Sequence, residues 1–282
     1  MVEVSILVNC FNSSKTIEKT ITSILKQSYK DYELIIYDNC SNDNTIKICN
    51  KFSDPRIKIY NSKLHTPLGL ARIKALKYCT GKYISIIDAD DVAHEEKIFK
   101  QHNFLQNNNF HICYTDCFIF NEKKTYLYKS ANPLDLKNLL ITKNPIIHSS
   151  IMFKRELIKF EFFYHRDFRN FQDYNNYIWM VKKGMTFGKI NEPLLYYYKS
   201  NMTTSRNLNQ SSLRKNTFEY LKILNIANTL INTNNLKVNR QKKRFVIFLY
   251  LFKKDKNRYA FTLLKILFLN FFFIKLFIFQ KF

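Results

Sequence analysis

Three of the four residues in Asp88-Ala89-Asp90-Asp91 are carboxylates, and they directly follow the apolar run Tyr83–Ile87. Like charges this close repel, and a bound cation offsets the repulsion. Hard divalent cations take oxygen ligands. A cation held by one or two carboxylates plus substrate phosphates is the usual arrangement in enzymes that handle nucleoside diphosphates. Two other polar clusters close apolar runs in the same way: Asn9-Cys10-Phe11-Asn12 after Val4–Val8, and Asp38-Asn39-Cys40-Ser41 after Tyr32–Tyr37. The six cysteines, at 10, 40, 49, 79, 113 and 117, form no CxxC pair, and no further residues offer the spacing of a zinc site. Buried free thiols are expected instead. The histidines at 65, 94, 102, 111 and 165 show no ligand spacing either.

The elements that must carry these clusters can be read from periodicity and breakers. Val4–Val8, Tyr32–Tyr37, Arg56–Tyr60 and Tyr83–Ile87 read as strands. Between them, helices are predicted over about 14–27, from about 44, and over 68–79. Asn12 or Ser13 would cap the first and Asn42 or Asp43 the second, and Gly81 would end the third as a C′ glycine. Strands alternating with helices imply an α/β fold with a parallel sheet, whose ligands bind at the carboxyl ends of the strands. The three polar clusters should therefore converge on one edge. Further on, helix 95–106, strand 112–120, the apolar stretch 150–153, a helix over 171–183 ended by Gly184, and strand 194–198 predict a smaller mixed sheet beside the first half.

The 282 residues carry a net charge of +23, unevenly spread. Residues 1–110 hold 15 Lys and Arg against 12 acidic residues, whereas residues 200–282 hold 16 against 2. One end is thus expected to meet a polyanion. Helices are predicted over 209–233, 237–254 and 257–281. The last contains Ile266–Phe279, interrupted by Asn270 and Lys275, so it lacks a clean run of about twenty apolar residues for a span. It suits an amphipathic helix lying on an anionic membrane, the alternative being a buried helix that closes the fold. No secretory signal precedes Val4–Val8, which predicts a cytoplasmic chain, peripheral on the cytoplasmic face of the membrane. A nucleic-acid binder is disfavoured, because the basic tail is rich in Leu, Ile and Phe rather than in exposed basic and aromatic residues. The oligomeric state is not readable.

Six stretches, in order, resemble the family 2 glycosyltransferases: 4–12, 23–45, 68–91, 148–157, 171–184 and 191–198. The resemblance implies a GT-A fold, a Rossmann-like mixed sheet flanked by helices, over residues 1–207. Residues 1–100 would form the nucleotide half and 101–207 the acceptor half, with 208–282 as a helical basic tail. It implies an inverting hexosyl- or N-acetylhexosaminyl-transferase, acting from a nucleotide-diphospho-sugar on a glycan or lipid-linked acceptor in surface polysaccharide or lipopolysaccharide synthesis. A divalent cation, Mn2+ or Mg2+, is implied with it. By position, Phe11 matches the aromatic stacked on the base, and Asp38 and Asn39 the pair at base and ribose. Arg72 matches an arginine near the diphosphate or base. Asp88 matches the ribose contact, Asp90 the metal ligand with Asp91 beside it, and Asp173 the catalytic base. The chain departs from the family pattern at Asn9 (usually Pro), Asn39 (usually Asp), Gln172 (usually Glu) and Ser200, where many members place a metal-binding His. The alternative these departures leave is a catalytically inactive member of the same fold that serves as a binding protein.

Overall fold

The computed structural model describes residues 2–120, 124–140, 143–159 and 171–198. Ser200, the domain from 208 onward and the tail helices lie outside them. The elements run β1 (Val4–Cys10), α1 (Ile17–Leu25), β2 (Tyr32–Asp38), α2 (Thr45–Cys49), β3 (Ile57–Asn61), α3 (Leu68–Leu76), β4 (Tyr83–Ile86) and β5 (Val92–Ala93). They continue with α4 (Lys97–Asn107), β6 (Ile112–Phe120), β7 (Thr125–Tyr128), α5 (Leu136–Leu139), β8 (Ile151–Lys154), α6 (Gln172–Lys182) and β9 (Phe187–Tyr198).

Both halves share one sheet rather than two. Among the described residues it has nine strands, ordered β3-β2-β1-β4-β8-β6-β9-β5, with β7 on β6. The first four are mutually parallel. β8 is antiparallel to both β4 and β6, and β9 runs parallel to β6. Two reversals restore the direction, so β6 and β9 point their carboxyl ends to the same edge as β1, β2 and β4. The smaller separate sheet expected from sequence is therefore absent among the described residues. Its strands extend the first sheet, because β8 inserts as the antiparallel joint.

The sheet is covered on both faces, as its continuous apolar strands require. Strand alternation sends Leu7 and Ile35 to one face, against Ala71 and Ala75 of α3 and Tyr174, Tyr177 and Ile178 of α6. It sends Ile6, Val8, Leu34 and Ile36 to the other, against Ile17, Ile21 and Ile24 of α1 and Ile98 and Leu105 of α4. All six cysteines are free, and only Cys40 is not buried.

Two local expectations are corrected. Neither Asn12 nor Ser13 caps α1 with its side chain: the N-cap is Thr16, which makes no side-chain capping bond. Asn12 instead sits at φ 50°, and its Oδ1 accepts the Asn42 N–H at 3.0 Å, joining the loops after β1 and β2. Gly81 is not a C′ glycine, since α3 ends at Leu76 with Lys77 as its cap. It is glycine because the chain passes against β1: a Cβ there would meet Ser5 N at 2.5 Å and Val4 C at 2.7 Å. Gly184, at φ +75°, does terminate α6. Gly81→Ala must push two backbones apart and should cost about 3 kcal/mol. Urea unfolding monitored by circular dichroism checks this, and a loss below about 0.5 kcal/mol would refute the close approach as the reason.

Candidate active site

The loops after β1 and β2 build a shelf at the carboxyl edge. Asp38 is buried and its carboxylate serves its own loop: Oδ2 accepts the Ser41 N–H at 2.9 Å, and Oδ1 accepts the Ser41 hydroxyl. Asn39 is also buried, and its amide ties down the loop after β3. Oδ1 accepts the Thr66 N–H at 3.1 Å and its hydroxyl at 3.0 Å, and Nδ2 donates to Thr66 O at 2.7 Å. Both residues therefore shape the shelf from beneath. Phe11 is what the shelf presents: it is 43% exposed, with the His65 ring 4.2 Å away and tilted by 41°.

The acidic loop after β4 sits next to this shelf. Arg72, from α3, is buried, and its Nη2 donates to Asp88 Oδ1 at 2.9 Å. The Asp88 N–H donates to Ser149 Oγ at 3.0 Å. Asp88 keeps 33% of its side chain exposed and Asp90 is half-buried. Burial, with the neighbouring Asp88 charge, pushes the Asp90 carboxyl up to about 6. Asp91 has no exposed surface. Its Oδ1 accepts the Tyr198 N–H at 3.2 Å, and its carbonyl accepts the Thr20 hydroxyl at 2.9 Å. Burial, then the Asp90 and Asp88 charges, raise its carboxyl well above the usual range. Asp91 thus braces the loop against α1 and β9 from within.

These side chains meet a divalent cation's demand in one respect. Among the described residues no three His, Cys, Asp or Glu side chains form a ready metal cage. Asp90 is accessible, crowded by negative charge and short of a counter-charge, so a cation completed by phosphates and water fits there.

Asp173 lies in the first turn of α6. Burial raises its carboxyl, and the Arg72 charge partly counters this while Asp88 adds to it. Asp173 and the acidic loop therefore share one electrostatic neighbourhood. His148, buried beneath, has its Nδ1 3.0 Å from the Tyr177 hydroxyl. Burial and then the Arg72 charge lower its pKa well below the usual value, so the imidazole is neutral.

The arrangement combines an aromatic shelf, an arginine, crowded carboxylates and a separate carboxylate, Asp173, whose pKa is raised, all at one strand edge. The model of glycosyl transferase family 2 matches residues 5–185. The chain belongs to that family. It is an enzyme, a glycosyltransferase. The UDP-Glc:alpha-D-GlcNAc-diphosphoundecaprenol beta-1,3-glucosyltransferase WfgD of Escherichia coli is 31% identical over 223 residues, covering 78% of this chain and 82% of that one. Among solved structures, S. aureus TarS 1-349 in complex with UDP matches with a TM-score of 0.63 at 16% identity, over 88% of this chain and 70% of that one. A mannosyltransferase, PcManGT from Pyrobaculum calidifontis, in complex with GDP-Man and Mn2+, matches with a TM-score of 0.55 at 16% identity, over 87% and 72%. At such identities the structures establish the GT-A fold alone.

Three polar side chains at this edge were not singled out by sequence reasoning. Ser149 accepts from Asp88, His65 lies against Phe11, and Asn144 donates to Asp173 at 2.8 Å. Ser149 lies inside the stretch 148–157 that carries the family resemblance, but its spacing to Asp88 reveals no contact. His65 and Asn144 lie outside all six stretches.

Proposed function

We propose that the chain transfers a sugar, with inversion, from a nucleoside-diphospho-sugar to a hydroxyl of a glycan or lipid-linked acceptor during polysaccharide assembly. The observation that carries this is the convergence of Phe11, Arg72, Asp88, Asp90 and Asp173 on one strand edge. Phe11 stacks on the base from its exposed face. Asp38 and Asn39 hold the shelf at base and ribose, and the half-exposed Asp88 takes the ribose hydroxyls. Arg72, pinned by Asp88, directs its guanidinium toward the diphosphate. Asp90, with Asp91 bracing it from behind, would hold a Mn2+ or Mg2+ ion, which when bound offsets charge on the departing diphosphate. Asp173 takes the proton of the attacking acceptor hydroxyl, and its raised pKa makes it the stronger base. Direct displacement needs this one base and no protein nucleophile.

The relative WfgD acts on an acceptor carried by diphosphoundecaprenol, and an acceptor of that kind supports a membrane-facing enzyme. We assign the membrane contact to residues 208–282, whose sequence is basic and apolar, and the transfer domain to 1–207. Among the described residues no helix is long and apolar enough to cross a membrane. Flotation with anionic liposomes should retain the full chain and lose it when the tail is removed.

The reading is tested by thermal melting against nucleoside diphosphates with and without Mn2+ or Mg2+. A ligand at about 100 times its Kd adds roughly 2.7 kcal/mol, a rise of about 5–10 °C for a chain of this size. The expected outcome is a cation-dependent rise with one nucleotide, abolished by Asp90→Ala. No rise with any nucleotide would sink the reading.

A further inference from the structure

Asn144 lies between α5 and the 3-10 turn His148–Ser150. Its Nδ2 donates to Asp173 Oδ2 at 2.8 Å. Its Oδ1 accepts from the Ile146 N–H at 3.2 Å. The second bond decides which way the amide faces, because an oxygen committed to a backbone donor leaves the nitrogen turned to the carboxylate. Pro145, lying between them, has no N–H to compete for that oxygen. The segment is anchored on both sides of Asn144. Tyr128 donates its hydroxyl to Pro145 O at 3.1 Å, and Tyr174, the neighbour of Asp173 on α6, donates to Leu140 O at 2.7 Å. The amide and the carboxylate are therefore held by one framework.

We propose that Asn144 is the positioning residue for the catalytic base: it occupies Oδ2 of Asp173, fixes the carboxylate rotamer and leaves Oδ1 to take the acceptor proton. This rests on the reading of Asp173 as base. Around that carboxylate stand Arg72 from α3, Asp88 after β4 and Tyr197 from β9, along with the N–H groups of the first turn of α6. Arg72 is shared with Asp88, so a neutral donor at Oδ2 favours the ionised base without adding charge to the site. An amide held at both ends aims the carboxylate more narrowly than a mobile lysine would.

The test uses the full chain and the variants Asn144→Ala, Asn144→Asp and Asp173→Asn. The Asp173 carboxyl is followed by carbon-13 NMR across pH, its signal identified by its loss in Asp173→Asn. Removing a hydrogen bond to an ionised group should move the midpoint up by about one pH unit in Asn144→Ala. Asn144→Asp keeps the shape and the bond to Ile146 N–H but sets a second carboxylate against Asp173. Its midpoint should move further up, because like charges this close share one proton. With UDP-glucose as donor, turnover should fall about 10-fold or more in Asn144→Ala and further in Asn144→Asp at pH 7, with donor KM within two-fold. A merely structural asparagine predicts the reverse order, since aspartate is the closer mimic. Unmoved midpoints in both variants would overturn the inference and leave Asp173 as base. Wild-type turnover in Asp173→Asn would instead overturn the base reading and the inference with it. Should the alanine variant fail to fold, the isosteric aspartate variant decides.

Discussion

Asp173→Asn is expected to lower turnover about 100- to 10,000-fold while nucleoside diphosphate binding stays within two-fold of wild type. The amide keeps the size of the side chain and a hydrogen-bonding contact to Asn144, but it cannot accept a proton from the acceptor hydroxyl. Binding should be spared because the shelf proposed to take the nucleotide is built by Phe11 and by the loops that Asp38 and Asn39 tie down, on other elements. The pH dependence has a fixed sign. Burial raises the Asp173 carboxyl above its ordinary value, and the Arg72 charge only partly offsets this. The acid limb of kcat/KM should therefore lie above the usual aspartate range, with activity lost as pH falls through it and the carboxylate takes up a proton. Steady-state kinetics across pH, with nucleotide melting shifts as the binding control, check both parts. A variant that keeps more than a tenth of wild-type turnover would exclude Asp173 as the base.

The legible part of this molecule is the part whose causes are local. The strands and helices of the first ninety residues follow from short-range periodicity and breakers, and the acidic triplet follows directly from β4. What escaped depends on residues distant in sequence. The single sheet depends on β8 pairing with both β4 and β6, across more than sixty residues on one side. Gly81 reads as a helix terminator until β1 is seen to pass 2.5 Å from its missing Cβ. Asn12 has the chemistry of a cap but spends it on Asn42, because the loops after β1 and β2 must be joined to make a shelf. Asp91 is matched by position only as the neighbour of Asp90, and its burial, set by alternation along the loop, is seen only in the fold. Asn144 sits 29 residues from Asp173, in a stretch with no catalytic pattern, and only packing brings the amide to the carboxylate.

Glu33 is the largest such case, and its removal is expected to cost the fold more than any change at the catalytic edge. It lies in β2, at the end of the sheet away from the active site, and is almost wholly buried. Its Oε1 accepts from Ser5 Oγ at 2.6 Å, Thr80 N–H at 2.7 Å and Thr80 Oγ1 at 2.7 Å, and its Oε2 accepts from Lys58 Nζ at 2.7 Å. The Ser5 hydroxyl in turn accepts the Gly81 N–H at 2.8 Å, so one carboxylate joins β1, β2, β3 and the turn before β4. Burial by itself would raise its pKa. The bonds from Lys58, Ser5 and Thr80 outweigh burial and pull it down to about 2 from 4.5. A folded value below the unfolded one means stability that is complete above pH 4.5 and lost as pH falls from there toward 2. The shift corresponds to about 3 kcal/mol. Lys58 is 45% exposed, so its share is weakened by salt, whereas the three bonds from Ser5 and Thr80 are not. Glu33→Ala leaves the buried Ser5 hydroxyl without its acceptor and releases the two donors of the exposed Thr80 to water, and should cost about 3 kcal/mol. Glu33→Gln keeps one acceptor oxygen but turns an N–H2 toward Lys58, so it should cost less and, having no proton to gain, should flatten the acid limb. Urea unfolding of the three proteins between pH 7 and pH 2 separates these effects. An equal loss of stability on acidification in wild type and Glu33→Gln would show that this carboxylate does not anchor the sheet.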